Sequence, residues 1–161
     1  FTVPEHRIPE VGARIMDLQS PENKMSTTSS TEAGTVYVLD EPKAIEKKFK
    51  SAVTDSGSEV RRAADKQGIS NLIEILAVTR GVSMDEIERE FEGSQYGQFK
   101  QAVADGVIEY LTPVRERFAE LRADEAELER VLGAGAEKAR AIASETVTTA
   151  RSKMGLGRPV A

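Results

Sequence analysis

The 161-residue chain has no cysteine and a single histidine. The first absence excludes disulfides and thiolate-ligated metals, and it fits a cytoplasmic protein. His6 alone cannot build a histidine-rich metal site and reads as a surface residue. No run of apolar residues is long enough to span a bilayer, so no membrane partner is expected. A basic stretch leading into an apolar one, the pattern of a secretory signal, is not seen either. Positive charge is in deficit: 22 Lys and Arg against 27 Asp and Glu give a net charge of −5. A mainly electrostatic nucleic-acid binder is usually basic, so the global balance speaks against one and leaves only local basic patches.

What is present allows a real core, since 39% of the residues are hydrophobic. The chain opens as Phe-Thr-Val-Pro, which reads like the middle of an extended segment; a fragment of a longer polypeptide is expected. Pro4, Pro9 and Pro21 discourage helix over residues 1–40. Short strands are predicted at Ile15-Met16 and over 36–39, with a polar, ligand-ordered loop at 26–33 between them.

Helix dominates from there. One is predicted from Asp40, capped by that residue, with Pro42 in its first turn. Ile45, Phe49 and Ala52-Val53 form its apolar face, and Lys43, Lys47, Lys48 and Lys50 lie off it. Residues 59–66 read as loosely helical, and a helix carrying Leu72, Ile73, Leu76 and Ala77 follows Gly68-Ile69-Ser70. Ser83 and Glu86 have the spacing of a capping box, with Ile87 and Phe91 as anchors and Gly93 as the stop. The spacing predicts a long helix from Tyr96 to Leu121, kinked or bent at Pro113. Asp124 and Glu127 start another, which Gly133-Ala134-Gly135 should break or bend. Ala139, Ile142, Ala143, Thr146, Val147 and Ala150 make the inner stripe of a last helix, ending near Gly155 before a Gly157-Arg158-Pro159 tail.

The stretch Lys24-Met25-Ser26-Thr27-Thr28 carries the chemistry. An ammonium is a compact cation for phosphate oxygens, and hydroxyls and backbone N–H groups can donate around it. These five residues resemble the KMSKS loop of class I aminoacyl-tRNA synthetases, with Thr27 at the place of the second lysine. Further stretches, in family order, resemble the bacterial tryptophanyl-tRNA synthetases: Gly12-Ala13-Arg14-Ile15-Met16, Gly68-Ile69-Ser70-Asn71-Leu72 and Gly135-Ala136-Glu137-Lys138-Ala139 among them. The most specific is Lys47-Lys48-Phe49-Lys50-Ser51-Ala52-Val53-Thr54-Asp55-Ser56.

The resemblance implies a mainly α chain, the C-terminal fragment of such an enzyme. Residues 1–56 would be the end of a Rossmann-type catalytic domain, and 57–161 a helical-bundle anticodon-binding domain. The HIGH-type motif and the pocket for the indole have no counterpart in this chain, so the fragment alone is expected to be inactive. The implied reaction joins tryptophan to ATP, with Mg²⁺, as an acyl-adenylate and passes the acyl group to tRNA(Trp). Lys24 would take the catalytic charge role on the phosphates. Ile15, Met25, Ser26, Thr27 and Thr28 would complete the ATP site, Ile15 through its main chain at the adenine. A homodimer is implied for the parent enzyme, with no DNA partner and no metal ligands from this chain.

For tRNA, Arg115, Arg117, Arg122, Lys138, Arg140, Arg151 and Lys153 could hold phosphates, though Glu116, Glu120, Glu137 and Glu145 offer each a surface ion pair instead. The residues that read the anticodon are not identifiable from the pattern. A stand-alone helical RNA-binding or adaptor module is the alternative. It leaves Lys24-Met25-Ser26 without a purpose, as does a purely structural helical protein.

Overall fold

The computed structural model describes residues 2–157; Phe1 and the tail residues 158–161 lie outside the described residues. Among the described residues five helices follow one another: α1 (Pro42–Lys50), α2 (Gln67–Arg80), α3 (Met84–Glu90), α4 (Tyr96–Arg122) and α5 (Glu125–Lys153). The chain forms two compact units, Phe1–Arg115 and Glu116–Ala161.

In the first unit α2 is the central element. Ile69, Leu72, Ile73, Leu76 and Ala77 are all at most 1% exposed, so this helix is covered on most of its circumference. Ile45 and Phe49 of α1, Ile87 of α3, and Phe99, Val103 and Ala104 of α4 join the same cluster, together with Leu18 from the N-terminal segment. Residues on both sides of position 56 thus share one core. Phe91 and Phe99 meet edge-on at 5.1 Å, a favoured aromatic geometry.

Gly68 explains how closely α2 can approach the segment after α1. A Cβ at this position would lie 2.2 Å from the Val53 carbonyl oxygen. The helix begins at Gln67, before Gly68-Ile69-Ser70 rather than after it. Its far end closes at Gly81, whose φ of 68° is left-handed, with Gly81 N–H donating to Val78 and Val82 N–H to Ala77.

Several helix signals appear as the sequence analysis expected. Pro42 occupies the first turn of α1. Ser83 and Glu86 form the reciprocal capping box of α3, and the Asp124 carboxylate accepts from Glu127 N–H at the start of α5.

Other expectations are corrected. Glu41, not Asp40, is the α1 cap, and it makes no side-chain cap bond. The Asp40 carboxylate instead accepts from Tyr37 N–H and from Lys48 Nζ at 2.6 Å. Lys48 accordingly lies inside, 7% exposed, with its ammonium 4.9 Å from the Tyr37 ring centre. A buried ammonium needs a charged partner, and Asp40 supplies it.

The two short strands do not form among the described residues. Met16 makes a single antiparallel bridge with Lys24, and 36–39 has no ladder partner and runs into a turn. Apolar β-branched residues suit a strand only where another edge is there to pair with them. Residues 59–66 are not helical either. Arg62 is drawn to α3, its N–H to Glu88 and its guanidinium to Glu88 and Asp85, and those long-range bonds replace the local helical ones.

A polar lock ties the same segment to α4. The Lys66 ammonium, its side chain 7% exposed, lies 2.9 Å from Asp55 and 2.8 Å from the Tyr96 hydroxyl. That hydroxyl is itself 2.9 Å from both Asp55 oxygens.

α4 runs through Pro113 without interruption. Its buried face is Phe99, Val103, Ala104 and Val107, whereas Val114, Phe118 and Leu121 are exposed. In the second unit, α5 continues through Gly133-Ala134-Gly135 as one helix of 29 residues. Two glycines cost about 1 kcal/mol each relative to alanine, and the Ala, Glu, Arg and Lys around them are strong enough helix formers to carry the run. The stripe from Ala139 to Ala150 is not an inner one: no α5 residue is buried, and Ile142 is 63% exposed. Helical period reports that a face is apolar, not that something covers it.

Candidate functional site

The lysine loop is positioned from behind by α2. Asn71, only 4% exposed, turns its amide onto one residue of the N-terminal segment. Its Oδ1 accepts from Met16 N–H at 2.8 Å and its Nδ2 donates to the Met16 carbonyl at 2.9 Å. Both backbone groups of Met16 are thereby satisfied without a neighbouring strand. Met25 N–H donates to Ile15 O and Asp17 N–H to Asn23 O, so the chain doubles back and Lys24 emerges opposite Met16. Leu18 extends the frame, its N–H donating to Gly34 and its carbonyl accepting from Val53 N–H.

In front of this frame lies a cavity of about 770 Å³. Lys24, Met25, Ser26 and Thr27 line it, with Asp17, Ser20, Asn23 and Ser29–Thr31. Four of the six expected ATP-site residues are thus brought together. Ile15 and Thr28 stand outside the lining. Ile15 is half-buried against the core behind it, and Thr28 closes a turn, its N–H donating to Ser26 Oγ at 3.2 Å.

Lys24 is exposed and is absent from the ion pairs formed among the described residues. A free ammonium beside hydroxyls is the arrangement that can take up an anion. Asp17, which carries no functional signal in the sequence, is 4% exposed in the same wall. Its Oδ1 accepts from Gln19 N–H at 2.7 Å and Ser20 N–H at 3.0 Å. Burial pushes its carboxyl up, but the Ser30 hydroxyl and those two amides together outweigh burial and hold it below the ordinary value. Asp17 two residues before an amide it caps is a local Asx signal; its burial has no such signal. Asn71 stood out in the sequence only as part of the stretch Gly68-Ile69-Ser70-Asn71-Leu72, with no sign of what its amide would hold.

The proposed tRNA contacts are scattered. Arg115 is committed to the first unit, donating to Asp40 O at 2.8 Å and Thr112 Oγ1 at 3.0 Å. Arg117 pairs with Glu120, and Arg122 lies 4.0 Å from Glu125. Arg151 donates to Gly157 O. Lys138, Arg140 and Lys153 are exposed. Among the described residues no group of three or more His, Asp or Glu could hold a metal ion, and no helix is long and apolar enough to cross a membrane.

Comparison with known proteins gives one consistent answer. Residues 1–112 match the family of tRNA synthetases class I (W and Y). The chain is 47% identical over 159 residues to the tryptophan–tRNA ligase of Oceanobacillus iheyensis, covering 98% of this chain and 48% of that protein. It is 43% identical to the Bacillus subtilis tryptophan–tRNA ligase over 159 residues, with the same two coverages. The chain therefore spans about half the length of the curated relatives it matches. Among solved structures, the tryptophanyl-tRNA synthetase of Mycoplasma pneumoniae superposes with a TM-score of 0.83 at 26% identity, over 92% of this chain and 45% of that one. That of Campylobacter jejuni gives 0.62 at 29% identity, over 97% and 47%.

Proposed function

The chain belongs to the class I tRNA synthetases of the tryptophan and tyrosine family, and on that premise we propose that it is the C-terminal half of a tryptophan–tRNA ligase. Its substrates are tryptophan, ATP and tRNA(Trp). Residues 1–56 supply the end of a Rossmann-type catalytic domain with a KMSKS-like loop, and 57–161 the helical part that receives the anticodon. The observation that carries the reading is the free Lys24 ammonium at a hydroxyl-lined cavity, in a chain whose relatives are tryptophan–tRNA ligases.

The chemistry follows from that placement. The tryptophan carboxylate attacks the α-phosphorus of ATP, and pyrophosphate leaves. The terminal ribose hydroxyl of the tRNA then attacks the acyl carbon and releases AMP. No covalent enzyme intermediate is needed, so the protein contributes positioning and charge stabilisation. Lys24 meets the negative charge that builds on the leaving pyrophosphate. Met25, Ser26 and Thr27 shape the wall around the phosphates, Thr28 closes the turn behind them, and the Ile15 main chain meets the adenine. Mg²⁺ would enter with ATP as part of the substrate, and no step is assigned to protein ligands for it. The parent enzyme works as a cytoplasmic homodimer.

Tryptophan-dependent exchange of labelled pyrophosphate into ATP tests the reading in the full-length polypeptide. Lys24→Ala should lower exchange by roughly 10²–10³-fold, the cost of one preorganised transition-state donor, while leaving thermal stability unchanged. Near-normal turnover of that variant would remove Lys24 from the mechanism.

A further inference from the structure

Four lysines lie off the apolar face of α1, and the fold separates them. Lys48 turns inward to Asp40. Lys43, Lys47 and Lys50 stay exposed and, with Glu46 and Ser51, line one cavity of about 460 Å³ on the first unit. At positions i, i+4 and i+7 of one helix they form a single row, about 10 Å long at a rise of roughly 1.5 Å per residue.

The needs of the helix do not explain this row. Lys43 sits in the first turn, directly after Pro42, where the positive end of the helix dipole disfavours a cation. No acid shares that turn. Lys43 and Lys47 also repel each other across one turn. Neither enters an ion pair among the described residues, and Lys50 has only Glu46, at 3.9 Å. Acids outnumber bases in the chain, 27 to 22, yet the row keeps an uncompensated positive charge. Such a surface is complementary to a polyanion.

The end of α1 is fastened to the frame that carries the lysine loop. Gln19 Nε2 donates to the Ser51 carbonyl at 3.0 Å, and Gln19 N–H donates at 2.7 Å to Asp17 in the wall of the Lys24 cavity. Val53 N–H donates to the Leu18 carbonyl at 2.7 Å. The row and the cavity thus belong to one bonded frame. In the proposed reaction the tRNA brings its terminal hydroxyl to that cavity, and its backbone is the polyanion that accompanies it.

We propose that Lys43, Lys47 and Lys50 form a phosphate-binding row for the tRNA backbone, which positions the tRNA without reading its bases. The proposal rests on the reading of the chain as part of a tryptophan–tRNA ligase.

The test uses the full-length polypeptide with the three lysines changed together to Gln, and in a second variant together to Arg. Fluorescence anisotropy follows binding of a tRNA(Trp) transcript from about 50 to 200 mM salt. The glutamine variant should bind about tenfold or more weakly at the low end, and its slope of log K against log salt should fall by roughly 2–3, the counterions of three contacts. The arginine variant should bind as the parent does, since guanidinium groups also hold phosphates. A noncognate tRNA should lose the same factor, because phosphates carry no sequence. Pyrophosphate exchange, in which tRNA takes no part, should keep its KM for ATP and for tryptophan. Thermal stability should hold or rise, with the repulsion between Lys43 and Lys47 removed. An unchanged salt slope, a loss confined to the cognate tRNA, or a raised KM for ATP would each overturn the proposal. If the triple variant does not fold, Lys43→Gln decides alone: a slope lower by roughly 0.7–0.9 supports the row and an unchanged slope refutes it. Normal tRNA binding by the glutamine variant of an exchange-active parent sinks only the row. A folded parent without exchange sinks the ligase reading itself.

Discussion

Gly34→Ala should destabilise this protein through a single contact. Gly34 is buried, and its φ is not among the positive values, so alanine meets no backbone strain there. The added methyl would lie 2.3, 2.4 and 2.5 Å from Asp17 Oδ1, Oδ2 and Cγ, more than 1 Å inside the roughly 3.5–4.0 Å of ordinary contact. Asp17 cannot simply swing away, because Oδ1 holds the Gln19 and Ser20 amides. Moving Gly34 instead breaks the Leu18 N–H to Gly34 O bond of 3.0 Å. Either route combines overpacking with a lost hydrogen bond, about 3 kcal/mol in all. Urea unfolding at constant slope measures it. Asp17→Ala removes all three clashing atoms, so in that background Gly34→Ala should cost less than about 1 kcal/mol, a coupling energy expected only of residues in contact. A Gly34→Ala variant within about 0.5 kcal/mol of the parent, or a double variant with additive losses, would refute the reasoning.

Gly68→Ala should also destabilise, by about 2 kcal/mol, despite the better helix propensity of alanine, since its Cβ would lie 2.2 Å from a backbone oxygen that cannot rotate aside; a fall in Tm with faster exchange of the Val53 amide checks it. Ser83→Ala removes the oxygen that accepts from Glu86 N–H and should cost about 1 kcal/mol, read as fraying of α3 by hydrogen exchange. Asp17 and Asp55 are both held below their ordinary value of 3.8, burial opposing the hydrogen bonds in each and the bonds prevailing. The stability they contribute is therefore fully present above that value and is lost as the pH falls through their lower folded values. Acid titration of unfolding free energy should show that loss, and Asp17→Asn should flatten part of it.

Much of the helical order was legible because its signals are local. Pro42, the Ser83–Glu86 box, the Asp124 cap and the 3.6-residue spacing of Phe99, Val103 and Val107 each act within a turn or two. The lysine loop was legible as chemistry, since an ammonium among hydroxyls is readable from residue type, and the family was legible from stretches spread along the chain. The strands were misread for the same reason that the helices were not: a strand is completed by a partner elsewhere. At 59–66 local helical tendency lost to Arg62 reaching residues 23 and 26 positions away.

The sequence by itself determined where the chain turns helical, which loop carries the cation, and to which family it belongs. Only the tertiary structure decided that Asp40 holds Lys48 instead of capping α1, that Asn71 clasps Met16 across 55 residues, and that Asp17 is sealed into the wall beside Lys24. A polar side chain carries no sign of whether it will be buried. Its partners are set by which backbone groups the packing leaves unpaired, and burial makes pairing with them obligatory.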